Sequence, residues 1–135
     1  DLHRRRHSFP TRRSSDLRSV NSLKIFTEDG SMGETGRVTS QLAEIIAERN
    51  IEIIYSCGPM GMLKAITEIA DQLGIMHQAS VEEAMACGIG ICMTCVLPVK
   101  NDDGTISMKR SCIDGPVMDG STVCWDLVGK STETF

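Results

Sequence analysis

Aromatic side chains are scarce in this 135-residue chain, with one Trp, one Tyr and three Phe, so its apolar patterning rests on aliphatic residues. No stretch approaches the ~18 consecutive apolar residues that a membrane-spanning helix needs, and no internal repeat is present. No secretory signal is recognisable, which disfavours a disulfide framework for the six cysteines and suits a reduced, cytoplasmic chain. Histidine is nearly missing beyond the N-terminus: His77 stands alone, and a core or surface role suits it better than metal ligation. Positive charge is also in short supply. The formal net charge is −4, and residues 1–17 alone carry +3. The remaining body is therefore at −7, which argues against nucleic acid or an anionic membrane as partner.

Residues 1–17 stand apart. They hold five arginines and two histidines with no apolar periodicity. Phe9–Leu17 reads without a gap as the translation of a common short-read sequencing adapter, so 1–17 is expected to be an artefact without ordered structure. A basic nucleic-acid-binding arm or a transit peptide is the competing reading.

What the chain does have is cysteine at a telling spacing. Cys87-Gly-Ile-Gly-Ile-Cys92-Met-Thr-Cys95 is followed, after sixteen residues, by Cys112. Three thiolates in nine residues with a fourth from a separate segment is the plant-type pattern for a [2Fe–2S] cluster. Each iron needs two thiolates besides the two bridging sulfides. The short loop can place Cys87, Cys92 and Cys95 on one side, and Cys112 returns to close the other. The sulfurs carry negative charge, so backbone N–H groups must face them. Gly88 and Gly90 permit that, because glycine reaches backbone angles other residues avoid. Such hydrogen bonds set the potential, which for plant-type sites lies near about −400 mV. A four-cysteine zinc site is the alternative, although zinc knuckles use two short, evenly split pairs.

Along the rest of the chain, Leu23–Phe26 predicts a short strand and 28–36 a glycine-rich polar loop. Val38, Leu42, Ile45 and Ile46 recur at helical spacing, with Thr39 or Ser40 available as N-cap. Ile51–Ser56 predicts a buried parallel strand. Pro59 suits the first turn of a second helix, with Leu63, Ile66, Ile69, Ala70 and Leu73 as its inner stripe and Gly74 as its stop. Met76–Ser80 predicts a third strand. This βαβαβ order implies an α/β fold with a parallel sheet. Further on, Val81–Ala86 reads as one helical turn. Cys95–Val99 and Thr105–Arg110 flank a loop with the hairpin signal Asp103-Gly104. Asp114-Gly-Pro116 is a turn, and Thr122–Trp125 a last strand. The expected organisation is 18–80 as α/β, 81–126 as a small β-rich cluster module and 127–135 as a tail.

Three segments in order carry a resemblance: Cys57-Gly-Pro-Met-Gly-Met-Leu63, Ser80-Val-Glu-Glu-Ala-Met-Ala-Cys87 running on to Cys95, and Cys112-Ile-Asp-Gly-Pro-Val117. Together they resemble the iron–sulfur electron-transfer subunit of dihydroorotate dehydrogenase B, over about 23–126. The resemblance implies the second half of a ferredoxin-reductase-type nicotinamide-binding sheet followed by a [2Fe–2S] module, N-terminally truncated and lacking the flavin-binding barrel. It implies that Cys87, Cys92, Cys95 and Cys112 are the iron ligands. It also implies that Cys57, Gly58 and Pro59 form the turn beside the nicotinamide, outside the carboxyl ends of parallel strands. In the family, electrons pass from an FMN-containing catalytic subunit, in a heterotetramer, singly through the cluster to FAD and then to NAD during pyrimidine biosynthesis. No catalytic residue is assigned, and this segment alone is expected to be inactive.

Other residues carry blander readings. Glu28, Asp29 and Glu34 suit a solvated loop, Glu82 and Glu83 suit helix N-terminal charges, and Cys124, Met60 and Met62 suit packing. Two functional alternatives remain. One is the flavin/iron–sulfur subunit of a related reductase, of the NADH-dependent ferredoxin–NADP reductase or sulfide dehydrogenase type. The other is a stand-alone ferredoxin-like carrier.

Overall fold

A computed structural model describes residues 21–129, so the reading of 1–17 and most of the 127–135 tail lie outside the described residues. The chain divides into two units, Asp1–Val38 and Thr39–Phe135.

In the first unit, β1 (Phe26–Thr27) pairs in parallel with β2 (Glu34–Thr35). The strand expected at Leu23–Phe26 is thus a two-residue bridge, and its partner falls inside the segment expected to be loop. Gly33, at φ +70°, is required here: a Cβ would collide with the Ile25 carbonyl oxygen.

The second unit begins with α1 (Leu42–Arg49), entered from a 3-10 turn at Val38–Gln41. That turn moves the N-cap to Gln41, without a side-chain cap, in place of the expected Thr39 or Ser40. β3 (Ile53–Gly58), α2 (Met60–Leu73) and β4 (Met76–Val81) form a βαβ unit with parallel strands. Pro59 is the N-cap of α2, and Gly74 closes the helix in the left-handed conformation at φ +67°. The inner stripe of α2 is Leu63, Ile66, Thr67 and Ala70. Leu73, expected on that stripe, is 46% exposed, because the helix ends there and its last turn clears the sheet.

The cysteine-bearing half is built onto this unit. β5 (Val96–Lys100) and β6 (Ile106–Arg110) form the hairpin expected around Asp103-Gly104. α3 (Ser111–Asp114) then leads to β7 (Val117–Asp119), which adds antiparallel to β4 and completes the sheet order β3-β4-β7. Two expectations fail. Val81–Ala86 makes no helical turn; Val81 finishes β4 and the next residues run irregularly. Thr122–Trp125 is not a strand but two 3-10 turns, Gly120–Thr122 and Trp125–Leu127, joined at an isolated bridge from Val123 to Val99. The 80/81 boundary falls inside β4, and one cluster of buried residues (Leu63, Ala79, Val81, Leu97, Val99, Met118, Val123) draws on both sides of it.

A polar knot ties the sheet to α2. His77, 3% exposed, lies between Thr67 Oγ1, 2.9 Å from Nδ1, and Ser56 Oγ, 2.6 Å from Nε2. The Thr67 hydroxyl donates to the Leu63 carbonyl at 2.9 Å. Thr67 Oγ1 therefore accepts from Nδ1–H, and in the neutral ring Nε2 accepts from Ser56. Burial depresses the pKa of His77, opposed by the carboxylates of Asp119 and Asp71. Gly120 closes the knot, since a Cβ there would overlap the imidazole.

The unfolded chain binds this proton more tightly than the native one. His77's contribution is complete above the unfolded pKa of about 6.5 and is lost as pH falls through that value toward the depressed native one. Urea midpoints should therefore fall between about pH 7.5 and about pH 5.5. His77→Gln should be less stable but lose that slope; an unchanged slope would exclude His77 as its source.

Candidate metal centre

The cysteine loop is an irregular crossing from the end of β4 to the start of β5, and its shape is set by three residues at positive φ. Gly88 and Gly90 sit at +68° and +79°, and Met93, a non-glycine, at +58°. A Cβ at Gly90 would come 2.7 Å from Ile113 Cδ1, the end of an exposed side chain that must turn aside, on top of the strain of the positive φ. Met93 bears the cost that L-residues meet in the left-handed region, roughly 1–2 kcal/mol. Its reversal of the chain accompanies a contact between neighbours: Thr94 Oγ1 donates to Cys92 Sγ at 3.1 Å. Arg110 clamps the loop from β6. Its Nη1 donates to the Gly90 carbonyl at 3.0 Å, and its own N–H donates to Asp114 Oδ2 at 2.7 Å.

The loop folds so that amides face sulfur. The N–H groups of Cys92 and Ile89 donate to Cys87 Sγ at 3.4 and 3.5 Å. These bonds, that of Cys92 foremost, hold the Cys87 thiol down to about 6. Cys95, 2% exposed, is also held below an ordinary thiol, first by the Cys112 N–H and then by the nearby Ser111 hydroxyl. Cys112 is pushed up, chiefly because its thiol shares its proton with Cys95.

Four sulfurs thus interact as two pairs, Cys87 with Cys92 and Cys95 with Cys112, and Cys112 also senses Cys87. Cys95 stands one residue before β5 and faces Ser111, the neighbour of Cys112, across the end of the β5–β6 ladder. Among the described residues no group of three or more His, Cys, Asp or Glu converges as the ligands of a metal ion.

One polar atom in the centre is unsettled. Ser111 is 1% exposed and its Oγ makes no formed hydrogen bond. It lies close enough to the Cys95 sulfur to favour the thiolate electrostatically, but without the geometry of a bond. A buried hydroxyl in that state costs about 1–3 kcal/mol.

Cys57, Gly58 and Pro59 lie at the carboxyl end of β3, where Gly58 pairs with Val81. Gly58 has φ +151°, and a Cβ there would press on Met62 Cε at 2.7 Å. Cys57 Sγ donates to Glu82 Oε1 at 3.3 Å. Glu82 is therefore not a helix-terminal charge; it joins the end of β4 to the end of β3. Sequence reasoning missed Glu82, Arg110, Ser111 and the strained Met93. Only Ser111 carried a signal, its place beside Cys112. Cys124 is half-buried, and its N–H donates to the Pro98 carbonyl at 2.9 Å, in keeping with a packing role.

Known proteins resemble this region of the chain. Residues 82–124 match the family model for the iron–sulfur cluster binding domain of dihydroorotate dehydrogenase B. The electron transfer subunit of dihydroorotate dehydrogenase B (NAD(+)) from Caldanaerobacter subterraneus is 50% identical over 98 residues, 73% of this chain and 38% of that protein. The probable counterpart from Methanocaldococcus jannaschii is 41% identical over 101 residues, 75% of this chain and 37% of that protein. The chain thus spans under two fifths of the length of these relatives. A chain from the solved structure of the NADH-dependent reduced ferredoxin–NADP oxidoreductase, described in connection with flavin-based electron bifurcation, superposes with a TM-score of 0.61 at 30% identity. It covers 77% of this chain and 36% of its own.

The loop's geometry sets up a paired test. Gly90→Ala should destabilise the cysteine-bearing half by about 1–2 kcal/mol or more, combining a positive-φ penalty with the clash against Ile113. Met93→Gly should leave stability equal or higher. Denaturant midpoints decide, and a stable Gly90→Ala would contradict the described loop.

Proposed function

We propose, given that residues 82–124 belong to the iron–sulfur cluster binding domains of dihydroorotate dehydrogenase B, that this chain is part of the electron-transfer subunit of an NAD-dependent dihydroorotate dehydrogenase. In this reading Cys87, Cys92, Cys95 and Cys112 hold a [2Fe–2S] cluster. When bound, such a cluster takes up and releases one electron at a time.

The observation that carries the proposal is the donor set. Two pairs of thiols, each with backbone amides turned toward a sulfur, match two irons that each require two thiolates. The unpartnered Ser111 hydroxyl beside Cys95 fits as well, since a buried donor without an acceptor suits a site completed by a sulfur-rich anion. Gly88 and Gly90 supply the positive backbone angles that let the loop turn its amides toward sulfur. Arg110 and the β5–β6 hairpin hold Cys95 and Cys112 in place, so the site need not reorganise as its charge changes.

The wider scheme follows from the family resemblance. A catalytic subunit carrying FMN, in a cytoplasmic heterotetramer, would supply electrons drawn from dihydroorotate in pyrimidine biosynthesis. The longer protein would pass them to FAD and NAD, with Cys57, Gly58 and Pro59 beside the nicotinamide at the carboxyl end of the parallel strands. Among the described residues no helix is long and apolar enough to cross a membrane. A second reading, a subunit of an NADH-dependent ferredoxin–NADP reductase, draws on the superposition at 30% identity. Co-purification of the native complex separates them: an FMN protein that oxidises dihydroorotate supports the first, a ferredoxin-dependent one the second.

The cluster itself has a direct test. The full chain, reconstituted anaerobically with iron and sulfide, should show visible charge-transfer absorption and an electron paramagnetic resonance signal after dithionite. Cys92→Ser should lose both. A colourless product holding zinc would overturn the proposal.

A further inference from the structure

We propose that the Ser111 hydroxyl is the hydrogen-bond donor to the Cys95 sulfur when that sulfur ligates the cluster, and that it raises the potential at which the centre accepts its electron. The proposal rests on the cluster reading given above.

Strand register brings the two groups together. Val96 is paired with Arg110, so the next residues outward, Cys95 and Ser111, stand opposite each other. The Ser111 N–H donates to the Cys95 carbonyl at 2.9 Å, which carries the pairing one step beyond the ladder. Opposed residues of an antiparallel pair present their side chains on the same face, close together. Both are sealed from water, at 2% and 1% exposure.

Ser111 Oγ is the one buried side-chain polar atom among the described residues that lacks a hydrogen-bond partner. Water is excluded from it, and the backbone beside it is committed to the ladder. The Cys95 sulfur is the acceptor that register offers. A thiol accepts weakly, which is consistent with the bond being unformed here. A metal-bound thiolate is a far better acceptor. Reduction by an external one-electron donor such as dithionite adds a negative charge to the site and makes the sulfur a stronger acceptor still. A donor fixed at this point therefore stabilises the reduced state more than the oxidised one, and the potential rises. Ser111 is a positioning and tuning residue and supplies no ligand.

The test is an anaerobic redox titration of the reconstituted full chain, followed by electron paramagnetic resonance. Ser111→Ala should retain the visible spectrum and iron content of the parent chain. Its midpoint should shift negative, with the equilibrium constant for reduction lowered severalfold; tenfold corresponds to about 59 mV for a one-electron couple. Ser111→Thr keeps the hydroxyl and should restore the parent potential. In the metal-free chain, Ser111→Ala should leave the denaturant midpoint unchanged or raised, because no formed bond is lost. An unchanged potential in Ser111→Ala overturns the proposal. So does a negative shift shared by Ser111→Thr, which would mark a packing effect, and so does loss of the cluster or of metal-free stability in Ser111→Ala. A parent chain that assembles no cluster overturns both this inference and the reading beneath it.

Discussion

Crowding cysteine sulfurs into one loop, with amides turned toward them, is the constraint on which the rest of this structure depends. Thiolates close together repel, and a buried one such as Cys95 also loses hydration as the loop folds. The loop answers with dipoles. The amides of Cys92 and Ile89 converge on Cys87, the Thr94 hydroxyl reaches Cys92, and the Cys112 amide faces Cys95. Turning successive N–H groups inward requires backbone angles outside the usual regions. Two are supplied by Gly88 and Gly90, and one is forced upon Met93. Strain at Met93 is the cost of aiming the amides, and it persists only because both flanks are fixed.

Those flanks are fixed by a core that draws on both halves of the second unit. The loop leaves β4 at Val81 and enters β5 at Val96, and Val81, Leu97 and Val99 are all buried in one cluster with Leu63 and Met118. β7 returns to pair with β4, so the segment that carries Cys112 is anchored on the same sheet as the strand preceding Cys87. The His77–Thr67–Ser56 knot locks α2 and β3 to that sheet from the other end. A loop with little regular structure of its own thus inherits its geometry from the elements around it.

This division explains what could be read from sequence. Cysteine spacing, the Asp103-Gly104 hairpin, the helix stop at Gly74 and the parallel β3–β4 pair all follow from local chemistry, and they were legible. The polar face of Val81–Ala86 looked helical because acidic residues precede an apolar pair. In the structure β4 runs through Val81, and Glu82 turns to accept the Cys57 thiol, so tertiary pairing overrides the local pattern. β7 was invisible because three residues after a Gly-Pro turn carry no period; only its partner β4 makes it a strand. Thr122–Trp125 has strand-like residues, yet Asp119 accepts from the Ser121 N–H and winds the chain into a 3-10 turn before they can extend. Ser111 is marked in the sequence only by its place beside Cys112, since its burial follows from hairpin register.

The distribution of charge shows why such small dipoles matter. Between Glu83 and Lys100 the chain has sixteen residues without a formal charge, and all three loop cysteines lie among them. Arg110 reaches the loop, but its guanidinium is committed to the Gly90 carbonyl and lies 3.6 Å from Asp114. Ile89, Ile91 and Met93, which point outward from the loop, are exposed yet apolar. Among the described residues, no Lys or Arg is among the main groups that shift the Cys87, Cys95 and Cys112 thiols. Compensation falls to groups fixed by the backbone and by Ser111 and Thr94. An ion pair can swing aside or be screened by salt, whereas an amide locked in a loop cannot. A centre balanced in this way keeps its charge environment nearly constant as an electron arrives and departs, and its energy is set by the count and aim of the hydrogen bonds that reach each sulfur.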